Sequence, residues 1–118
     1  KVGVEPGTTG ESYAKEFLGT ATIKTYATPQ QAFEGLRSGE IDYYIHDAPT
    51  SWKIGQTSEN SDLMPLYRSL TQEQLAWAVK KGNTALLKDL NAALGRLKEE
   101  GKINAIQNHW IPVKVEVN

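Results

Sequence analysis

Cysteine is absent from the sequence altogether. That one absence excludes disulfides, thiol nucleophiles, iron–sulfur clusters and cysteine-built zinc sites, and it leaves the compartment open. A charge excess of either sign is also missing. Thirteen Lys and Arg face fourteen Asp and Glu, for a formal net charge of −1. That balance lacks the cationic footprint that nucleic acid demands, so no nucleic-acid partner is expected. Long apolar runs are missing too: nothing nears the roughly 20 residues that cross a bilayer, and no basic-then-apolar leader opens the chain. The chain is expected to be soluble as synthesised, or to have had a leader removed. Internal repeats and low-complexity segments are likewise not visible. What is present is 118 residues, 39% of them apolar, the size and composition of one folding unit with a real core.

The apolar pattern changes period along the chain. Val2-Gly3-Val4 is short and β-prone, Pro6-Gly7 stops it, and Tyr13, Ala14, Phe17 and Leu18 then give one apolar helical face that Gly19 ends. Residues 21–26 read as a second strand. Thr28-Pro29 supplies an N-cap followed by proline at the first helical position, and Ala32, Phe33 and Leu36 continue at helical spacing. Gly39 is free to take a left-handed C-cap conformation. Residues 41–45, Ile-Asp-Tyr-Tyr-Ile, form a third strand broken at His46-Asp47-Ala48-Pro49. Strand–helix alternation at this spacing predicts right-handed crossovers, a mainly parallel sheet and an α/β class. Further on, the sequence predicts a short helix over 51–54, a polar loop over 57–62, and a strand over 74–79 in which Leu75, Trp77 and Val79 alternate. Leu86, Leu90, Leu94 and Leu97 mark an amphipathic helix to about Glu100. Gly101 breaks it, a second helix carries Ile103, Ile106 and Trp110, and residues 113–117 alternate as an extended arm would.

Two places can carry chemistry, both just after strands, where open α/β sheets bind ligands. In Gly7-Thr8-Thr9-Gly10-Glu11, small residues precede a helix, so free amides and the positive end of its dipole suit an anion. A plain Thr N-cap meets the same pattern. It is not a phosphate loop, because Glu11-Ser12 stands where Lys-Ser/Thr would follow. In His46-Asp47, an acid at the tip of an apolar strand must find cations or donors if covered. An ammonium group of a ligand would serve, and so would a capping role at the helix containing Pro49. Neighbours on an extended strand point to opposite faces, so His46 and Asp47 do not form a proton-sharing dyad. His46 and His109 are isolated imidazoles and make no metal site. Trp77 and Trp110 are expected in a core or at an interface, and the Lys/Arg cluster between Lys80 and Lys102 on a solvated helix face.

The order of motifs is more specific than any one. Residues 2–15 (VGVEPGTTGESYAK), 32–42 (AFEGLRSGEID), 46–49 (HDAP) and 93–110 (ALGRLKEEGKINAIQNHW) resemble the family 3 solute-binding proteins of amino-acid ABC importers. The resemblance spans nearly the whole chain. It implies a three-layer α/β sandwich of the type II periplasmic-binding-protein kind, present as a single lobe. Residues 1–80 would be the second, ligand-binding lobe, and residues 81–118 the C-terminal helices and tail that return toward the first. It further implies that the first lobe's main segment is missing, with the arginine that forks the solute's α-carboxylate. On matching positions, Thr9 would meet that carboxylate through its amide, with Thr8 beside it, and Asp47 would receive the α-ammonium. Gly10 and His46 would border the solute's side chain. Glu5 stands where some members place a cation that reads that side chain, and Tyr43-Tyr44 is bulkier than usual there.

From the resemblance follow a periplasmic or extracellular location, a small-molecule solute (an amino acid), ABC-transporter membrane subunits as partners, and no cofactor or covalent chemistry. The leucine stripe, without its usual cover, would fold onto the second lobe or pair with another copy as a homodimer or domain swap. The rival readings are a receptor's sensor or interaction domain of the same fold, and a periplasmic lyase that would need a second titrating group near Asp47.

Overall fold

The computed structural model describes residues 1–111. The extended arm expected at 113–117 lies outside the described residues. The chain divides into two compact units, one of residues Lys1–Leu66 and one from Tyr67 onward.

The first unit is built on three parallel strands, β1 (Val2–Val4), β2 (Ile23–Thr25) and β3 (Tyr43–Tyr44), in the order β2-β1-β3. Val2 pairs with Ile23 on one side and with Tyr43 on the other. Helix α1 (Thr9–Phe17) joins β1 to β2, and α2 (Pro29–Arg37) joins β2 to β3. The second connection crosses the central strand, and successive right-handed crossovers in opposite directions put their helices on opposite faces.

Side-chain packing agrees with that geometry. Val2 and Val4 cluster with Ala14 of α1, and Leu18, Ala21, Ile23 and Ile45 pack around them. Gly3, facing the other way, lies against Ile41 and Tyr26, and Tyr26 in turn sits on Gly35 of α2. All three residues of β1 are therefore buried, as a strand covered on both sides must be. The result is the expected three-layer α/β sandwich with a parallel sheet.

Local signals set the element ends. Thr28 caps α2, accepting from the Gln31 amide, with Pro29 next in line. Gly39 takes φ +73° after its end. Helix α3 (Ala48–Gly55) is longer than the short helix expected at 51–54. It buries Trp52, whose indole N–H donates to the Leu66 carbonyl at 3.3 Å. Within the polar loop, residues Ser58–Asn60 form a 3-10 turn. Arg37 holds that loop with a fork on Asp62 (2.7 and 3.0 Å) and bonds to the Asn60 side chain and the Glu59 carbonyl.

The second unit contains α4 (Thr84–Glu99), capped by the Asn83 side chain, and α5 (Lys102–Trp110), which pack against each other. One expectation fails here. Residues 74–79 form no strand, and Leu75 is 97% exposed. Alternation marks a strand only where a sheet edge accepts its backbone and a surface covers one face; this segment has neither, so its β-prone residues specify nothing. Trp77 and Trp110 are exposed rather than in a core. The basic residues from Lys80 to Lys102 are exposed, as a solvated face requires. No residue of α4 is fully buried, and Leu86 and Leu87 stand open.

Candidate functional site

The strand order locates the candidate site. Connections leave β1 toward β2 on one side and return to β3 on the other, so the chain parts between the carboxyl ends of β1 and β3. Such a switch point opens a crevice in a parallel sheet. The segments that follow those two ends are Glu5–Gly10 and His46–Asp47.

Thr8 is the N-cap of α1. Its side-chain oxygen accepts from the Glu11 amide at 3.2 Å, and its hydroxyl donates to the Glu5 carbonyl at 2.7 Å. Both capacities of this hydroxyl are thus used within the protein. Glu11 bonds back to the Gly7 amide at 2.8 Å, so the turn is tied from both ends in a variant of the capping box. A hydrogen bond from Lys15, then the one from Gly7, hold the Glu11 carboxyl below its ordinary range. Among the described residues nothing accepts the amides of Thr9 and Gly10, the next two of the helix's orphan donors. Thr9 is exposed.

Gly10 brings the two segments together. A Cβ built on it would lie 3.1 Å from Ile45 Cγ2 and 3.4 Å from the Ile45 carbonyl oxygen, so the helix start leans directly on the end of β3. A larger side chain here would push the amides away from His46 and Asp47. Asp47 occupies the N-cap position of α3, and its carbonyl accepts from the Ser51 amide at 2.9 Å. Its side chain makes no capping bond, so the exposed carboxylate is left available at the rim.

His46 does not pair with Asp47. Its Nε2 lies 3.3 Å from Glu5 Oε2, while its Nδ1 is buried without a hydrogen-bond partner. The register explains the meeting: Gly3 pairs with Tyr44, so Glu5 and His46 are each two residues further along adjacent parallel strands. Behind them runs an aromatic row, with Tyr44 5.6 Å from the His46 ring and Phe33 of α2 set edge-on to Tyr44 at 5.9 Å. The Tyr44 hydroxyl is buried and unpartnered. Burial first, then the charges of Glu5 and Asp47, push this phenol up to about 12. Both carboxylates therefore act on one buried hydroxyl. Glu5 and Tyr44 were not among the expected binding residues; the signal for them lies in the β1–β3 register, which requires knowing which strands pair.

The rim is open. A cavity of about 250 Å³ elsewhere in the unit, lined by Gln30, Phe33, Glu34, Arg37, Ile54, Glu59 and Asn60, includes none of the five expected binding residues. Among the described residues no group of three or more His, Cys, Asp or Glu is placed to hold a metal ion, and no helix is long and apolar enough to cross a membrane. Chemically, the arrangement offers two amide donors for an anion and a free carboxylate for a cation on the same rim.

Residues 9–113 match the family described as bacterial extracellular solute-binding proteins, family 3. The chain is 31% identical over 111 residues to the ABC transporter glutamine-binding protein GlnH of Bacillus subtilis, covering 94% of this chain and 40% of that protein. It is 26% identical over 115 residues to the L-cystine-binding protein TcyJ of Escherichia coli K12, covering 98% and 43%. It is 32% identical over 117 residues to a putative ABC transporter arginine-binding protein 2 of the same strain, covering 93% and 46%. The chain thus spans less than half the length of these relatives. No solved structure matches significantly. The comparisons lend no support to a homodimer or a domain swap. With its parallel α/β sheet, its rim at the switch point and a family match over most of its length, the chain belongs to the family 3 bacterial extracellular solute-binding proteins.

Proposed function

We propose that this chain supplies the second-lobe half of an amino-acid site in an extracytoplasmic binding protein of an ABC importer. Residues 1–80 form the solute-binding lobe, and residues 81–118 are the C-terminal helices and tail that return toward the other lobe. The solute's α-carboxylate lies on the free amides of Thr9 and Gly10, beside the capped Thr8, and its α-ammonium meets Asp47. His46 borders the side chain. The first lobe closes over the solute, and the closed form is what the transporter's membrane subunits recognise. The protein carries the solute unchanged.

The single observation that supports this reading is the seating of Gly10 against Ile45, the residue just before His46 and Asp47, at a helix start whose amides are unclaimed and next to a carboxylate that makes no capping bond. A carboxylate and an ammonium carried on one carbon fit that juxtaposition. The relatives named for glutamine, cystine and arginine share this α-amino-acid core and differ in what extends from it. Each charge-assisted contact is worth about 1.5–3 kcal/mol, so two give about 3–6 kcal/mol, against roughly 4 kcal/mol or more of freedom lost on association. This chain alone is therefore expected to bind no more tightly than about 1 mM.

Backbone chemical-shift titration of this chain with α-amino acids tests the proposal. Saturable shifts at Thr9, Gly10 and Asp47 that vanish in Asp47→Ala are expected. Undiminished binding by a folded Asp47→Ala variant would refute the ammonium contact.

A further inference from the structure

Resting on that reading, we infer that Glu5, set against His46, selects a solute whose side chain ends in a positive charge. Charge balance at the rim carries the inference. An α-amino acid brings one anion for the Thr9 and Gly10 amides and one cation for Asp47, and those contacts leave Glu5 over. Its carboxylate is only 30% exposed, and its contact with the protein is His46 Nε2 at 3.3 Å, a separation longer than a charge-assisted hydrogen bond prefers. Among the described residues no lysine or arginine forms an ion pair with Glu5 or Asp47, and Lys15 of α1 is held by Glu11 at 2.7 Å. When a solute covers the rim and displaces water, a partly buried carboxylate without a full partner becomes costly. An ammonium or guanidinium at the end of the solute's side chain removes that cost, a neutral amide removes less of it, and a second carboxylate adds to it.

The surroundings shape the same preference. Tyr44 and His46 set two aromatic rings near Glu5, 5.6 Å apart and tilted 45° to each other. Cations stack favourably on such faces, and a planar guanidinium does so best while presenting paired N–H groups to a carboxylate. The buried Tyr44 hydroxyl and His46 Nδ1, both without partners in the protein, add polar atoms at the back of this wall. Glu5 is therefore a specificity residue distinct from the Thr9–Asp47 pair that holds the amino-acid core.

The test is a chemical-shift titration of this chain with L-arginine, L-glutamine and L-glutamate in parallel, repeated on Glu5→Gln. Circular dichroism and the Thr8-capped Glu11 amide shift report that the variant is folded. Arginine is expected to bind at least about tenfold more tightly than glutamine, and glutamate more weakly still, with the arginine-to-glutamine ratio falling to within about twofold in Glu5→Gln. Equal affinities for arginine and glutamine in the unmodified chain, or a preference that survives Glu5→Gln, would overturn the inference while leaving the amino-acid site intact. Failure of all three to shift Thr9 and Gly10 would overturn the site and the inference together.

Discussion

Tyr44 reports most directly on the candidate rim at the scale of single residues. A phenol pushed from its ordinary 10 up to about 12 holds its proton more firmly in the folded state than in the unfolded one. Its contribution to stability is therefore complete below about pH 10 and is lost as pH rises toward 12. Ultraviolet titration should show late ionisation from Tyr44, with Tyr26 also raised by burial, and stability declining over that interval. Glu5→Gln should bring the late ionisation down, because one of the two negative charges facing the phenol is then gone. A Tyr44 whose ionisation does not respond to Glu5→Gln would remove Glu5 from its neighbourhood. The same scale separates the neighbouring threonines: Thr8 spends its hydroxyl on Glu5 and Glu11, whereas Thr9 keeps its amide unclaimed.

For the elements, capping and pairing decide what forms. Thr8→Ala removes the acceptor for the Glu11 amide and the donor to the Glu5 carbonyl, and should cost the first unit about 1 kcal/mol, read as a lower denaturant midpoint with an unchanged slope. Much of this level is legible in the sequence. Thr28-Pro29 announces α2, Gly39 its end, and the four-four-three spacing of the leucines announces α4, because those signals act within a turn or two of the backbone. The segment 74–79 reads wrongly for the converse reason. Its alternation is local, but a strand is completed only by a distant edge, and Leu75 finds none. The site divides the same way. Thr8 to Gly10 and Asp47 stand next to recognisable strand ends, whereas the Glu5–His46 contact exists only because β1 pairs with β3 in one register. No local pattern encodes that register.

The whole molecule depends on exposed ion pairs as well as on a small core. Hydrogen bonds from Lys24 and Arg37 hold Glu40 and Asp62, respectively, below their ordinary range, as Lys15 does Glu11. A lowered carboxyl stabilises the fold above its unfolded value and ceases to as pH falls through its folded one. Thermal stability should thus be level through neutral pH and decline below about pH 4, more steeply at low salt than at high. Arg37→Ala should flatten part of that decline, since Asp62 then titrates as it would unfolded. Among the described residues the buried apolar side chains, Val2, Val4, Ala14, Ala32, Ile41 and Trp52, all belong to the first unit. The order that holds the rim is therefore the order of the sheet and its two flanking helices.

A crystal structure of this chain with a saturating α-amino acid measures the central claim most directly. The account places the solute's carboxylate oxygens about 2.7–3.2 Å from the Thr9 and Gly10 amide nitrogens and its ammonium at the same range from the Asp47 carboxylate. A solute bound elsewhere in the unit, or one at the rim whose ammonium faces away from Asp47, would contradict it.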